Sequence, residues 1–277
     1  MSPPRARVLA MALQTLLGRR PQGFFIPYRF AASVVPAGYP GLEPLFAAAE
    51  PRMRGLVDAM AGYRRQFAGF GGAPPAPRFA QDWFPRLDGA AAYALIRRLR
   101  PRRIVEIGSG HSTRFMARAV ADGTIDCEII CIAPSPRAKL AGLPVRHLPV
   151  VLADAEPQLL GGLEAGDVLF VDSSHIAMPG TDVDRLLGDV LPGLPAGVVL
   201  HVHDIFLPDA YPADWSWRGY GEQLPVGCLL QGGGYDILFA SHWVATRRAE
   251  WLAEAGLDGL PLPQGARESS LWLIKTR

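Results

Sequence analysis

The sequence predicts an α/β fold: a doubly wound, mostly parallel seven-stranded sheet behind a helical N-terminal cap. Three observations predict it. Seven short apolar runs follow one another from residue 103 onward, helix-length segments separate most of them, and nothing of the kind precedes Asp88. Runs that are apolar on both sides belong to strands covered on both faces, and parallel neighbours need a helix-length crossover between them.

The cap comes first. The apolar run Val8 to Leu17 is flanked by Arg5, Arg7, Arg19 and Arg20 and falls short of the roughly 18 residues that span a bilayer. Gln14 interrupts it, and Arg19-Arg20-Pro21 stands where a signal peptide needs small residues. The expected structure is an amphipathic helix packed on the domain, with interfacial membrane contact as a second reading. The aromatic stretch Gly23 to Phe30 is expected to pack, or else to bring Tyr28 and Arg29 over the crevice. Pro36 to Gly41 and Gly69 to Pro77 read as loops from their glycine and proline density. Between them, Leu45, Met53, Leu56, Met60 and Tyr63 recur at helical spacing, with a break at Pro51. The boundaries expected are 1–80 for the cap and 81–277 for the catalytic domain.

The sheet domain opens with a helix over Gly89 to Leu99, capped by Asp88 and apolar at Ala92, Leu95, Ile96 and Leu99. The strand runs are Arg103–Ile107, Glu128–Ile132, Val145–Val150, Val168–Val171, Val198–Val202, Tyr235–Ala240 and Leu271–Lys275. Periodicity leaves open whether the last two pair antiparallel.

Composition bounds the function. With 28 Lys+Arg against 26 Asp+Glu the net charge is +2, without the basic excess of a nucleic-acid binder. Hydrophobic residues at 49% and charged ones at 19% fit a globular chain, not a disordered one. Three cysteines, Cys127, Cys131 and Cys228, make no disulfide framework and fit a reduced, cytoplasmic protein. The partner expected is a small-molecule acceptor, with no nucleic acid and no transmembrane segment; a homo-oligomer is left open.

The most informative string is Val105-Glu106-Ile107-Gly108-Ser109-Gly110-His111-Ser112-Thr113. A buried strand ends in an acid, turns through two glycines and enters a helix, so backbone amides can meet a polar ligand there. A dinucleotide fingerprint needs a third glycine, but position 113 is Thr. The string resembles motif I of class I S-adenosylmethionine-dependent methyltransferases. The later strings D-V-L-F-V-D-S-S-H, G-T-D-V and H-V-H-D-I-F-L-P resemble the small-molecule branch called methyltransferase family 24, over roughly Phe84 to Trp251. That resemblance implies a Rossmann-like methyltransferase fold. It implies cofactor contacts at Glu106, Gly108, Ser109, Gly110, Ser112, Thr113, Asp154 and Asp172. One departure stands out: an acid that grips the ribose commonly ends the second strand, and here that position is Ala133.

The fourth strand run delivers Asp172 and His175, and the fifth delivers His203 and Asp204. Ligands of doubly wound sheets bind at the carboxyl ends of the strands. In one reading Asp172, Asp204 and His203 hold Mg²⁺ or another divalent cation, with His175 as general base. That arrangement is similar to metal-dependent O-methyltransferases, and implies a cation that lowers the pKa of an acceptor hydroxyl. In the other no metal binds, and His175 or His203 acts as base, oriented by Asp172. A bland alternative has the acids capping turns. His201, His147 and His242 are assigned to packing, and Asp182 or Thr181 to a helix start. The aromatic loop with Trp215, Trp217 and Tyr220 is a lid or a packed surface loop, and Glu222-Gln223 resembles a pair this branch carries. The expected function is methyl transfer to a small-molecule oxygen. A metal-dependent hydrolase or oxygenase, and a non-catalytic binding module, are the alternatives.

Overall fold

The computed structural model describes residues 5–19, 21–24 and 26–277; Arg20 and Phe25, named above, lie outside them. The helices are α1 Arg5–Leu16, α2 Glu43–Ala48, α3 Glu50–Ala61, α4 Arg64–Ala68, α5 Arg86–Leu99, α6 His111–Asp122, α7 Gln158–Gly161, α8 Asp182–Arg185, α9 Leu191–Gly193, α10 Gln223–Gln231, α11 Ser241–Arg247 and α12 Ala249–Glu254. A π turn at Leu186–Val190 joins α8 to α9. The strands are β1 Arg103–Ile107, β2 Glu128–Ile132, β3 Arg146–Leu148, β4 Val168–Val171, β5 Val199–Val202, β6 Tyr235–Ala240 and β7 Leu271–Lys275. All seven expected runs are strands; β3 and β5 are trimmed at their ends.

They form one sheet in the order β3-β2-β1-β4-β5-β7-β6. The first five are parallel, while β7 is antiparallel to both β5 and β6. The chain reverses direction of winding beside β1, which puts the switch point between β1 and β4. β1, β4 and β5 are buried along almost their whole length, because helices cover both faces. Phe170, Phe239 and Trp272 on its strands are fully buried, and burying each stabilises by roughly 2–3 kcal/mol.

The stretch 42–67 is three helices rather than one broken at Pro51. The chain hinges at Ala49, and Pro51 sits in the first turn of α3, where it needs no hydrogen-bond partner. Leu42, Phe46, Met53, Met60 and Phe67 join the same core as the sheet. The helix expected from Asp88 begins earlier, at Arg86, so Asp88 is not its cap. Its carboxylate is fully buried and accepts from the Ser269 and Ser270 amides, at 3.2 and 2.9 Å. Gly89 lets α5 press on α6: a methyl there would lie 2.6 Å from the Phe115 ring.

The expectation that the first helix packs on the domain is not met. Along α1 the side chains of Val8, Leu9, Leu13 and Leu16 are exposed, and so are Tyr28 and Arg29 further on. Among the described residues no helix is long and apolar enough to cross a membrane.

Candidate functional site

The glycine turn at the end of β1 is held from beneath. Glu106 is fully buried; Ser112 Oγ donates to its Oε1 and Thr113 Oγ1 to its Oε2, both at 2.5 Å, and the Cys131 thiol lies 3.3 Å from Oε2. Thr113 Oγ1 in turn accepts from the Gly110 amide at 3.0 Å. Burial pushes the Glu106 carboxyl up to about 7, against these hydrogen bonds. The side chains of Glu106, Ser112 and Thr113 thus bond one another and support the turn.

Gly108 has φ +77°, and a methyl on it would lie 1.9 Å from the Asp172 carbonyl oxygen. The end of β4 pressing on the turn is enough to require the glycine. Gly110 faces Arg137 and Ala138, which a methyl would approach to 3.3 Å. Arg137 closes down on the turn: its amide donates to the Ser109 carbonyl at 3.0 Å and its guanidinium stacks 4.3 Å from the Trp83 ring.

What the turn leaves free is polar. Ser109 Oγ, His111 Nδ1 and Ser173 Oγ are buried without a hydrogen-bond partner, a state that costs about 1–3 kcal/mol each unless a ligand meets them. Burial, Arg114 and Arg78 push His111 down to about 4, so its ring is neutral. These atoms fit the amino-acid end of S-adenosylmethionine. At the ribose end Ala133 is buried and supplies only its carbonyl, taken by His147 Nε2 at 2.8 Å. Asp154 lies on the surface in a turn after β3, with its side chain exposed.

The second half of the site is built around His175. Its ring is buried; Nδ1 donates to Glu222 Oε2 at 2.9 Å, and Nε2 lies 3.2 Å from Asp172 Oδ1 and 3.6 Å from Asp204 Oδ2. Tyr220 covers the ring at 4.5 Å. Burial works against the charged imidazole, but the bonds to Asp172 and Glu222 and the charge of Asp204 outweigh it and hold His175 well above the usual range. Burial likewise opposes ionised Asp172, and the neighbouring His203 and His175 nonetheless hold it well below the usual carboxylate range. Geometry and charge thus favour the protonated ring at His175, with three carboxyl groups around it.

Two of the four non-glycine residues described with positive φ are His175 (+61°) and Asp204 (+54°). Such strain persists only where the surroundings enforce it, and it collects at functional sites. The surroundings here include Ser269, whose hydroxyl donates to Asp204 Oδ1 at 3.1 Å, and Gly221, whose amide donates to the His175 carbonyl.

The His203 ring lies beside the cluster: its Nε2 donates to the Trp83 carbonyl at 3.0 Å and lies 3.7 Å from Asp204 Oδ1, and its Nδ1 lies 3.5 Å from Ser270 Oγ. Among the described residues no group of three His, Cys, Asp or Glu is arranged to hold a metal ion. His201 packs face to face on Phe170 at 3.6 Å and bonds Ser270 Oγ at 3.0 Å. Asp182 holds the Ser174 amide at 3.0 Å, and Thr181 caps α8.

Glu222, Ser269 and Ser270 are functional residues that the pattern did not assign. Glu222 had a signal, the Glu-Gln pair. Gln223 pins the loop after β5, its Oε1 accepting from the Phe206 amide at 3.1 Å and its Nε2 donating to the Asp209 carbonyl at 3.2 Å. Ser269 and Ser270 had no signal: they lie 65 or more residues from Asp204 and are held by Asp88.

The strand order defines a doubly wound, Rossmann-like α/β fold with its polar side chains gathered at the carboxyl ends of the strands. Residues 105–205, from β1 to the loop after β5, match the family model described as a methyltransferase domain. That match spans little over a third of the chain and makes this part similar to such domains. Among solved structures, the SAH-bound Podospora anserina methyltransferase PaMTH1 is 20% identical over 92% of this chain and 100% of its own, with a TM-score of 0.43. CmcI in a Mg-SAM form is 16% identical over 64% of this chain and 78% of its own, with a TM-score of 0.38. The plantazolicin methyltransferase BpumL in complex with SAH is 15% identical over 72% and 94%, with a TM-score of 0.37. These likenesses are distant. No curated protein matches.

Proposed function

We propose that the chain methylates an oxygen of a small-molecule acceptor held against the His175 cluster. The observation that supports this most is the convergence of Asp172, His175, Asp204 and Glu222 on one ring, beside a turn whose free polar atoms fit the cofactor. Bound S-adenosylmethionine supplies a methyl group on a sulfonium cation. Ser109, His111 and Ser173 bind its amino-acid end, and Asp154 lies toward its other end.

His175 then has two duties. As imidazolium, its Nε2–H orients the acceptor oxygen between Asp172 and Asp204. Once its Nε2 proton has passed to solvent, the neutral ring takes the acceptor's proton at Nε2 as the oxygen bonds the methyl carbon, and the carbon–sulfur bond would break to leave the demethylated cofactor. Glu222 fixes the ring through Nδ1 in either state. Methyl transfer needs little beyond that alignment.

A divalent cation is a second reading, motivated by Asp172 and Asp204 aiming oxygens at the same spot. It would replace the His175 proton and polarise the acceptor oxygen. The free cysteines fit a cytoplasmic setting. Calorimetry tests the core of the proposal: saturable heats with S-adenosylmethionine and its demethylated product are expected, and flat traces with both remove it. Full methyl transfer in chelator would remove the cation alone.

A further inference from the structure

The first 42 residues contain five arginines and no acidic residue; the first carboxylate is Glu43. Removing those five from 28 basic residues leaves 23 against 26 acids, so the chain is polar in charge: +5 at one end, −3 over the rest. In α1 the spacing of Val8, Leu9, Leu13 and Leu16 puts them on one face, opposite Gln14. Among the described residues that face covers nothing, with Leu9 at 60% and Leu16 at 64% exposure. Phe24, Ile26, Tyr28 and Phe30 continue the exposed apolar surface, and the Arg29 guanidinium lies 5.0 Å from the Phe30 ring.

We propose that α1 and this aromatic segment dock the protein on an anionic phospholipid surface. The apolar face alone would suit many occupants. The charge selects one: arginines bracket the face, and no carboxylate in the segment is there to be repelled by acidic headgroups. Aromatic side chains with apolar bodies and polar edges suit the same interface. The segment rejoins the fold at Tyr39, whose amide donates to the Pro208 carbonyl at 2.6 Å. Pro208 lies four residues past Asp204, so docking brings the loop after β5 to the membrane side.

The test is co-sedimentation of the full chain with phosphatidylcholine vesicles, with and without phosphatidylglycerol. Binding to the anionic vesicles is expected to exceed that to neutral ones by about ten-fold or more, and to weaken as salt rises from about 0.1 to 0.5 M. Leu9→Glu, Leu13→Glu and Leu16→Glu together are expected to abolish it with an unchanged thermal midpoint, since these side chains support no core. Arg19→Glu with Arg29→Glu, an independent variant, is expected to lose the anionic preference. Equal binding to both vesicles, no binding to either, or retention by both variants overturns the proposal. So does a dimer in light scattering that the leucine variant dissolves while vesicles are ignored.

Discussion

The glycine turn and the His175 cluster occupy neighbouring strand ends, yet they are assembled in opposite ways. The turn is local: Glu106 is met by Ser112 and Thr113, six and seven residues on. The cluster is long-range: Asp172 and His175 follow β4, Asp204 follows β5, Glu222 precedes α10, and Ser269 precedes β7. A local device is as rigid as its own hydrogen bonds, whereas the cluster depends on the whole sheet being in register. Substitutions in the turn should therefore act first on stability, and those in the cluster first on chemistry.

The largest effect should fall where the two regions touch. Gly108→Ala places a methyl 1.9 Å from the Asp172 carbonyl at a positive φ, and is expected to cost roughly 4 kcal/mol or more. A denaturant midpoint equal to wild type would show that the two strand ends are not pressed together. His175→Ala comes next. It should lower turnover roughly 100- to 1000-fold while leaving S-adenosylmethionine affinity within a few-fold, a split that single-turnover and binding measurements resolve.

Glu106→Gln sharpens the contrast through pH. The folded carboxyl, at about 7, holds its proton more tightly than an ordinary glutamic acid does. Between pH 4.5 and 7 the native state keeps a proton that the unfolded chain has released. Stability from this group is therefore present in acid and is lost as pH rises through that window, by roughly 3 kcal/mol at most. Asp88, pushed up to about 6 mainly by burial, slopes the same way. The wild-type-minus-variant difference is what reports Glu106, and a pH-independent difference would show that it is ionised when folded.

Glu222→Gln should be milder. With one of three carboxylates removed, the His175 ring should titrate at lower pH by NMR, and turnover should fall roughly ten-fold. An unmoved titration would detach Glu222 from the cluster. The smallest effect is expected from exposed Asp154→Ala, a few-fold loss of cofactor affinity with no change in melting.

Much of the sheet was legible in the sequence because strands buried on both faces are apolar throughout, and β1, β2, β4, β6 and β7 run between the residues the pattern marks. Asp172, His175 and Asp204 were legible as candidates because two strand ends offered them together. The bond from His175 to Glu222, 47 residues away, was not legible. Nor was the bond from His203 to a carbonyl 120 residues away.

By itself the sequence determined the order of strands and helices, the acid-and-glycine turn, and the cationic charge of the N-terminal segment. These follow from neighbours along the chain, where periodicity and backbone preference act. The tertiary structure alone decided that Gly108 makes room for β4, that Glu106 faces inward, and that three carboxylates share one proton-bearing ring. Those outcomes turn on which groups the sheet brings within about 4 Å in a poorly solvated interior, where charge interactions are strong and no chain-local rule fixes the partner.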